Sequence, residues 1–207
     1  TRTVLKKNKS KLKQMKKTTI YILIGILAIT TSCKEEACQK KVTKEEKEVM
    51  VTDSVYDPEG ALAKMGIELK TPKAPVANYV NVVRSGNLIY LSGKGPSKED
   101  GSYITGKLGE DLSVEEGYEA ARLTAINQLS VLKAELGNLN RVKRIVKTFG
   151  MVNASSEFES HPEVINGFSD LMVAVFGERG KHARSAVGMG SLPRNIAVEI
   201  EVIVEVK

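Results

Sequence analysis

Apolar residues recur at helical spacing in two long stretches of the chain and alternate with polar ones in several short stretches. Ser113-Val-Glu-Glu116 has the form of a capping box. Beyond it Tyr118, Ala121, Ala125, Leu129, Leu132 and Leu136 make one core-facing stripe, and Gly137 ends the element. Pro162 starts a second long helix with Val164, Phe168, Leu171, Met172, Val175 and Phe176 on its buried side. A short helix is expected from Asp57 to Met65, with Asp57 as cap, Pro58 at its first position and Gly66 as stop. Strand patterns cover Tyr79–Arg84 and Leu88–Ser92 around a Ser85-Gly86-Asn87 turn, then Ile145–Met151. Two more flank a Leu192-Pro193-Arg194-Asn195 break, the first opening at Arg184. After the break Ile196, Val198, Ile200, Val202 and Val204 lie on one face, and Ala197, Glu199, Glu201, Ile203 and Glu205 on the other.

The order β-β-α-β-α-β-β predicts an α+β domain, one sheet backed by two helices. Helices cover a single face of such a sheet. The apolar content of the other face, Ala197 and Ile203, points to burial against another chain.

The chain has 207 residues, enough for one core and too few for two. Its formal charge of +6 does not describe that core. Residues 1–32 hold eight basic residues and no acidic one, so taking eight from +6 leaves −2 for residues 33–207. A global electrostatic argument for nucleic acid therefore fails. Met15-Lys-Lys17 and the apolar run Ile20–Ile29 have the form of a signal peptide, too short for a comfortable membrane span. Residues 1–32 are read as that leader, with 1–14 an upstream extension and Met15 the start. Thr30-Thr31-Ser32 before Cys33 form a loose lipobox, which makes Cys33 the expected lipidated residue and the protein extracytoplasmic and lipid-anchored to a bacterial membrane. Residues 33–56 read as a charged tether and 57–207 as the folded domain.

Cysteine ends at Cys38, which removes disulfides, thiol nucleophiles and cysteine-based zinc sites from the domain. With two histidines, His161 and His182, and no His-x-x-x-His pair, no metal site is expected, and no cofactor is implied. Gly93-Lys-Gly95 precedes no helix and no Gly-Lys-Ser/Thr, so a nucleotide loop is rejected. Arg141, Lys143, Arg144 and Lys147 lack interleaved aromatics for base stacking and read as a solvated strand edge.

Arg184 is short of local acidic partners, the next carboxylate downstream being Glu199. Its planar fork is available for a carboxylate brought by something else. On spacing alone the plainer alternative stays open: Arg184 as a solvated strand-end residue and Glu199 as half of a surface pair.

The run from Arg184 to Ile200, with Asn78-Tyr79, Gly86–Gly93 and Val164-Ile-Asn166, resembles the YjgF/RidA family, also called L-PSP endoribonuclease-like or enamine/imine deaminases. Gly106–Arg122 is similar to that family's chorismate-mutase-like branch, and the likeness spans roughly Gly66 to Lys207. The resemblance implies a homotrimer with sheets packed inward and ligand clefts between subunits. It implies hydrolysis of small 2-imino or 2-enamino acids, with Arg184 binding the substrate carboxylate and Glu199 poising water or shuttling a proton. Tyr79, Ser92 and Asn166 match positions lining the cleft. The sequence also departs from the family. Ala186 replaces the cysteine that many family deaminases carry, Gly188 leaves the strand bare, and His182, read as a loop histidine, stands where Pro or Ala is usual. A carboxylate-binding module without catalysis is the alternative function, and a ribonuclease ranks below both.

Overall fold

In the computed structural model of the protein, residues 56–72, 74–75 and 77–207 are described. The leader, Cys33 and the tether up to residue 55 lie outside the described residues. Tyr56 packs on the domain: its hydroxyl donates to the Val142 carbonyl (3.0 Å) and its ring lies 3.9 Å beneath the Arg179 guanidinium.

The expected elements form in the expected order. They are α1 (Pro58–Lys64), β1 (Val82–Ser85), β2 (Leu88–Lys94), α2 (Val114–Leu136), β3 (Val142–Asn153), α3 (His161–Phe176), β4 (Ala183–Met189) and β5 (Val198–Val206). Their ends carry the chemistry read from the sequence. Asp57 Oδ1 accepts from the Gly60 amide at 2.9 Å, and Gly66 leaves α1 with φ +67. At α2, Ser113 and Glu116 exchange the two bonds of a capping box. Along α2 the expected stripe is buried except for Tyr118, whose hydroxyl instead reaches Asp170 Oδ2 on α3 at 3.0 Å. All six apolar residues expected on α3 are buried.

The strands form one sheet in the order β1-β2-β5-β3-β4. Neighbours are antiparallel except β3 and β4, which run parallel. Consequently β4 and β5, consecutive in sequence, do not pair with each other, because β3 lies between them. The connection turns at Pro193–Asn195, where Arg194 and Asn195 adopt φ 58 and 56. Asn153 braces this turn from β3, its amide donating to Asn195 Oδ1 (2.9 Å) and to the Gly106 carbonyl (3.2 Å). The solvated edge expected for Arg141–Lys147 is corrected in part. Up to Val146 β3 pairs only with β5, but from Lys147 onward it also carries β4.

Helices α2 and α3 cover one face. Ile89, Leu91, Ile145, Val198, Ile200, Val202 and Val204 point into that layer and are buried. Gly167 lets the two helices meet: a Cβ there would lie 2.0 Å from the Tyr118 carbonyl oxygen. The opposite face carries a cross-strand row, Val83–Tyr90–Ile203, in which Val83 is 55% and Tyr90 42% exposed.

Candidate functional site

The predicted residues fall into two groups. The first is at the β4 edge. Arg184 pairs across β3 with buried Thr148, so its side chain stands on the helix-covered face against α3. Its Nη1 donates to Asn166 Oδ1 (2.8 Å) and to Ser169 Oγ (3.1 Å). Asn166 and Ser169 sit three apart on α3 and therefore share a face. Both acceptors are neutral, and among the described residues no carboxylate forms an ion pair with Arg184. Its Nε and Nη2 make no hydrogen bond there either.

His182 lies in the loop before β4, as expected, and its ring belongs to this group. Its Nδ1 lies 2.7 Å from the Gly180 carbonyl and its Nε2 lies 3.1 Å from Ser169 Oγ, with the ring edge-on to Phe168. Burial pushes its pKa below the ordinary imidazole value. The Gly180 carbonyl opposes that shift, and the nearby Arg184 charge adds to it. His161 covers the bare strand position: a Cβ on Gly188 would sit 2.3 Å from its Nε2, and Phe158 meets its ring edge-on at 5.3 Å. Sequence reading missed Ser169 and His161 as members of this group. The one signal was the unfilled position at Gly188, which calls for a side chain from elsewhere.

The second group is on β2, β5 and the segment that leads into β1. Ser92 donates its hydroxyl to the Val80 carbonyl (2.7 Å), and its amide donates to the Asn81 carbonyl (3.0 Å). Tyr79, next to Val80, is 50% exposed. Glu199 lies on the open face of β5, opposite Met151 of β3. Its carboxylate crosses to β2 and lies over Gly93, where a Cβ would be 2.3 Å from Oε1. Burial raises the Glu199 pKa above the usual carboxylate range, and Glu201 adds to that shift.

A buried amide sets the geometry of this second group. Gln128 of α2 donates through Nε2 to the carbonyls of Ser92 (3.0 Å) and Ile200 (2.6 Å), tying β2 to β5 at the bulge between Leu91 and Lys94. Lys94 itself is half-buried, donates to Asn81 Oδ1 at 2.5 Å, and has its pKa lowered by burial. Within one chain the two groups do not meet. Arg184 and Glu199 project from opposite faces of the sheet with β3 between them. A groove of about 530 Å³ lined by Ile67, Pro72, Lys94, Tyr103, Arg122 and Ile126 holds none of the predicted residues.

Fold and site together define a class: a small α+β domain that presents an arginine and a glutamate at separate faces of one five-stranded sheet. Residues 59–206 match the family described as "YjgF/chorismate mutase-like, putative endoribonuclease", and the chain belongs to that family. Protein TCP17 of Trypanosoma cruzi is 46% identical over 145 residues, covering 70% of this chain and 91% of its own. The crystal structure of Atu1372, a protein of unknown function from Agrobacterium tumefaciens, is 45% identical with a TM-score of 0.68, and covers 72% of this chain and 92% of its own. A 2-iminobutanoate/2-iminopropanoate deaminase of Dermatophagoides farinae is 28% identical over 142 residues, 67% of this chain and 95% of its own.

Proposed function

We propose that the protein is a RidA-like deaminase that hydrolyses small 2-imino or 2-enamino acids to 2-oxo acids and ammonia. The observation that carries this reading is the guanidinium of Arg184, whose Nη1 is held by two neutral acceptors while, among the described residues, no carboxylate pairs with it and its other donors are free. A fixed cation of that kind selects a carboxylate and orients the adjacent C=N carbon. Water then adds to that carbon, and Glu199 takes the water's proton. Glu199 returns that proton to the nitrogen, giving the neutral carbinolamine. It then takes the hydroxyl proton and passes it to the nitrogen as the C–N bond breaks, so that the 2-oxo acid and ammonia leave and Glu199 is ionised again. A carboxyl whose pKa is raised by burial is a stronger base than an ordinary glutamate and suits that exchange. Ser92 and Tyr79 line the Glu199 side, and Asn166 holds the Arg184 side.

The reading requires two copies, because each chain carries the halves at separate places on its sheet. The exposed Val83–Tyr90–Ile203 row supplies apolar surface for such packing, which supports a homotrimer with clefts between subunits. With the leader and Cys33 read as above, the substrates would be met outside the cytoplasm by a lipid-anchored assembly.

The test is ammonia release when the full chain is added to an amino-acid oxidase that generates 2-iminopropanoate. Release faster than in buffer, lost in Arg184→Ala, supports the deaminase. Release at the buffer rate, with pyruvate still binding in an Arg184-dependent way, supports a carboxylate-binding module instead.

A further inference from the structure

Two side chains, those of Arg184 and His182, converge on Ser169 in an order fixed by hydrogen-bond chemistry. A guanidinium only donates, so Arg184 Nη1 must use a lone pair of Ser169 Oγ at 3.1 Å. A carbonyl only accepts, so His182 Nδ1 must carry the proton facing Gly180 O at 2.7 Å. The neutral imidazole is then left with a lone pair on Nε2, which lies 3.1 Å from the same Ser169 oxygen. Ser169 must therefore donate its hydrogen to His182, and this turns its lone pair toward Arg184. The chain of bonds has one direction, from Arg184 through Ser169 to His182 and on to the Gly180 carbonyl.

We propose that Ser169 and His182 are positioning residues for Arg184, a relay that pins Nη1 and leaves the Nε–Nη2 edge of the guanidinium as the carboxylate-binding edge. With both Nη1 hydrogens taken by Asn166 and Ser169, the end-on pair of donors is broken. The side-on pair remains whole, so the ligand carboxylate approaches along Nε and Nη2 in a single orientation. His182 acts one bond away. It fixes the direction in which the serine hydroxyl points, in the way that the second partner of a metal-bound or catalytic imidazole fixes its tautomer. An apolar residue at position 182 would leave the hydroxyl free to rotate, and the lone pair would no longer be aimed at Arg184.

This relay rests on the reading that Arg184 takes a carboxylate, so it is tested with and without ligand. Without ligand, the imidazole nitrogen shifts of the full chain at pH 8, where His182 is neutral, report the tautomer directly. The relay requires Nδ1–H with an unprotonated, hydrogen-bonded Nε2, and Ser169→Ala should move the Nε2 signal alone. An Nε2–H tautomer overturns the relay.

With ligand, pyruvate binding is measured by calorimetry. Ser169→Ala is expected to weaken it about tenfold, the loss of one hydrogen bond to a charged group. Ser169→Thr, which keeps the hydroxyl, should restore most of that affinity. His182→Leu should match Ser169→Ala, and the two together should cost no more than either alone, because each breaks the same chain. His182→Gln, whose amide oxygen can accept from Ser169 in place of Nε2, should recover most of what His182→Leu loses. Fully additive losses, or no rescue by Gln and Thr, overturn the relay by assigning both residues an ordinary packing role. If Arg184→Ala binds pyruvate as tightly as the unaltered chain, the deaminase reading fails by itself, and the nitrogen shifts still decide the relay.

Discussion

Glu199 on β5 lies directly over Gly93 on β2, so close that a methyl group on Gly93 would sit 2.3 Å from the carboxylate oxygen and 3.0 Å from its carbon. The contact couples the proposed proton carrier to the strand that also holds Ser92. The obstructing atoms belong to the far end of a flexible side chain, so an added methyl displaces the carboxylate and leaves the backbone in place.

Gly93→Ala is therefore expected to separate function from stability. The variant should melt within roughly 1 kcal/mol of the unaltered protein, because no backbone need move. Imine hydrolysis should fall at least tenfold, since Glu199 is pushed off its position. Thermal melts beside ammonia-release kinetics check it. A variant with unchanged turnover would show that the seat of Glu199 over Gly93 does not matter to the chemistry.

The same carboxylate predicts a pH signature. The folded pKa of Glu199 is raised, so the folded state retains a proton that the unfolded chain has already lost. Stability from this group is fully present below the ordinary glutamate pKa and is lost as pH rises through the folded value. Glu199→Gln should accordingly have a higher Tm than the unaltered protein at pH 7–8. The difference should close as pH falls toward about 4, where both side chains are neutral. Melting curves at three pH values suffice, and an equal difference at all of them would mean that burial does not penalise the charge.

Gly167 gives the opposite outcome to Gly93. A Cβ there meets the Tyr118 carbonyl oxygen at 2.0 Å and the Arg122 amide nitrogen at 3.1 Å, both backbone atoms of α2. Gly167→Ala must force α2 and α3 apart at their crossing, and overpacking of this kind costs about 1–3 kcal/mol or more. Because Asn166 and Ser169 flank this contact, pyruvate affinity should fall together with Tm. Denaturant unfolding with and without pyruvate measures both. A variant as stable as the parent would refute the close packing.

Element type and order were legible in the sequence because they rest on local signals. The period of apolar residues, the Ser113–Glu116 box, and the Pro58 and Gly66 punctuation act within a few residues, and the helices and strands formed where those signals lie. The same locality explains the misreading of Tyr118: its place on the stripe is correct, but Asp170 on a neighbouring helix takes its hydroxyl, and the residue is half-buried. For the candidate site, likeness in sequence singled out Arg184, Glu199, Tyr79, Ser92 and Asn166 as residues of one cleft, but not the contacts that hold each of them within the chain.

Placement depended on strand order. The register of β4 on β3, Arg184 beside buried Thr148, puts Arg184 on the covered face, and β3 separates it from Glu199, whose place on the other face follows from the alternation of β5. The bond from Arg184 to Ser169, the ring of His161 over Gly188 and the amide of Gln128 across the bulge all join residues from distant elements. Periodicity says which side of an element is apolar, because that depends only on backbone geometry. Which side chain fills the space facing it is decided when the sheet and helices pack, and that choice belongs to the tertiary structure alone.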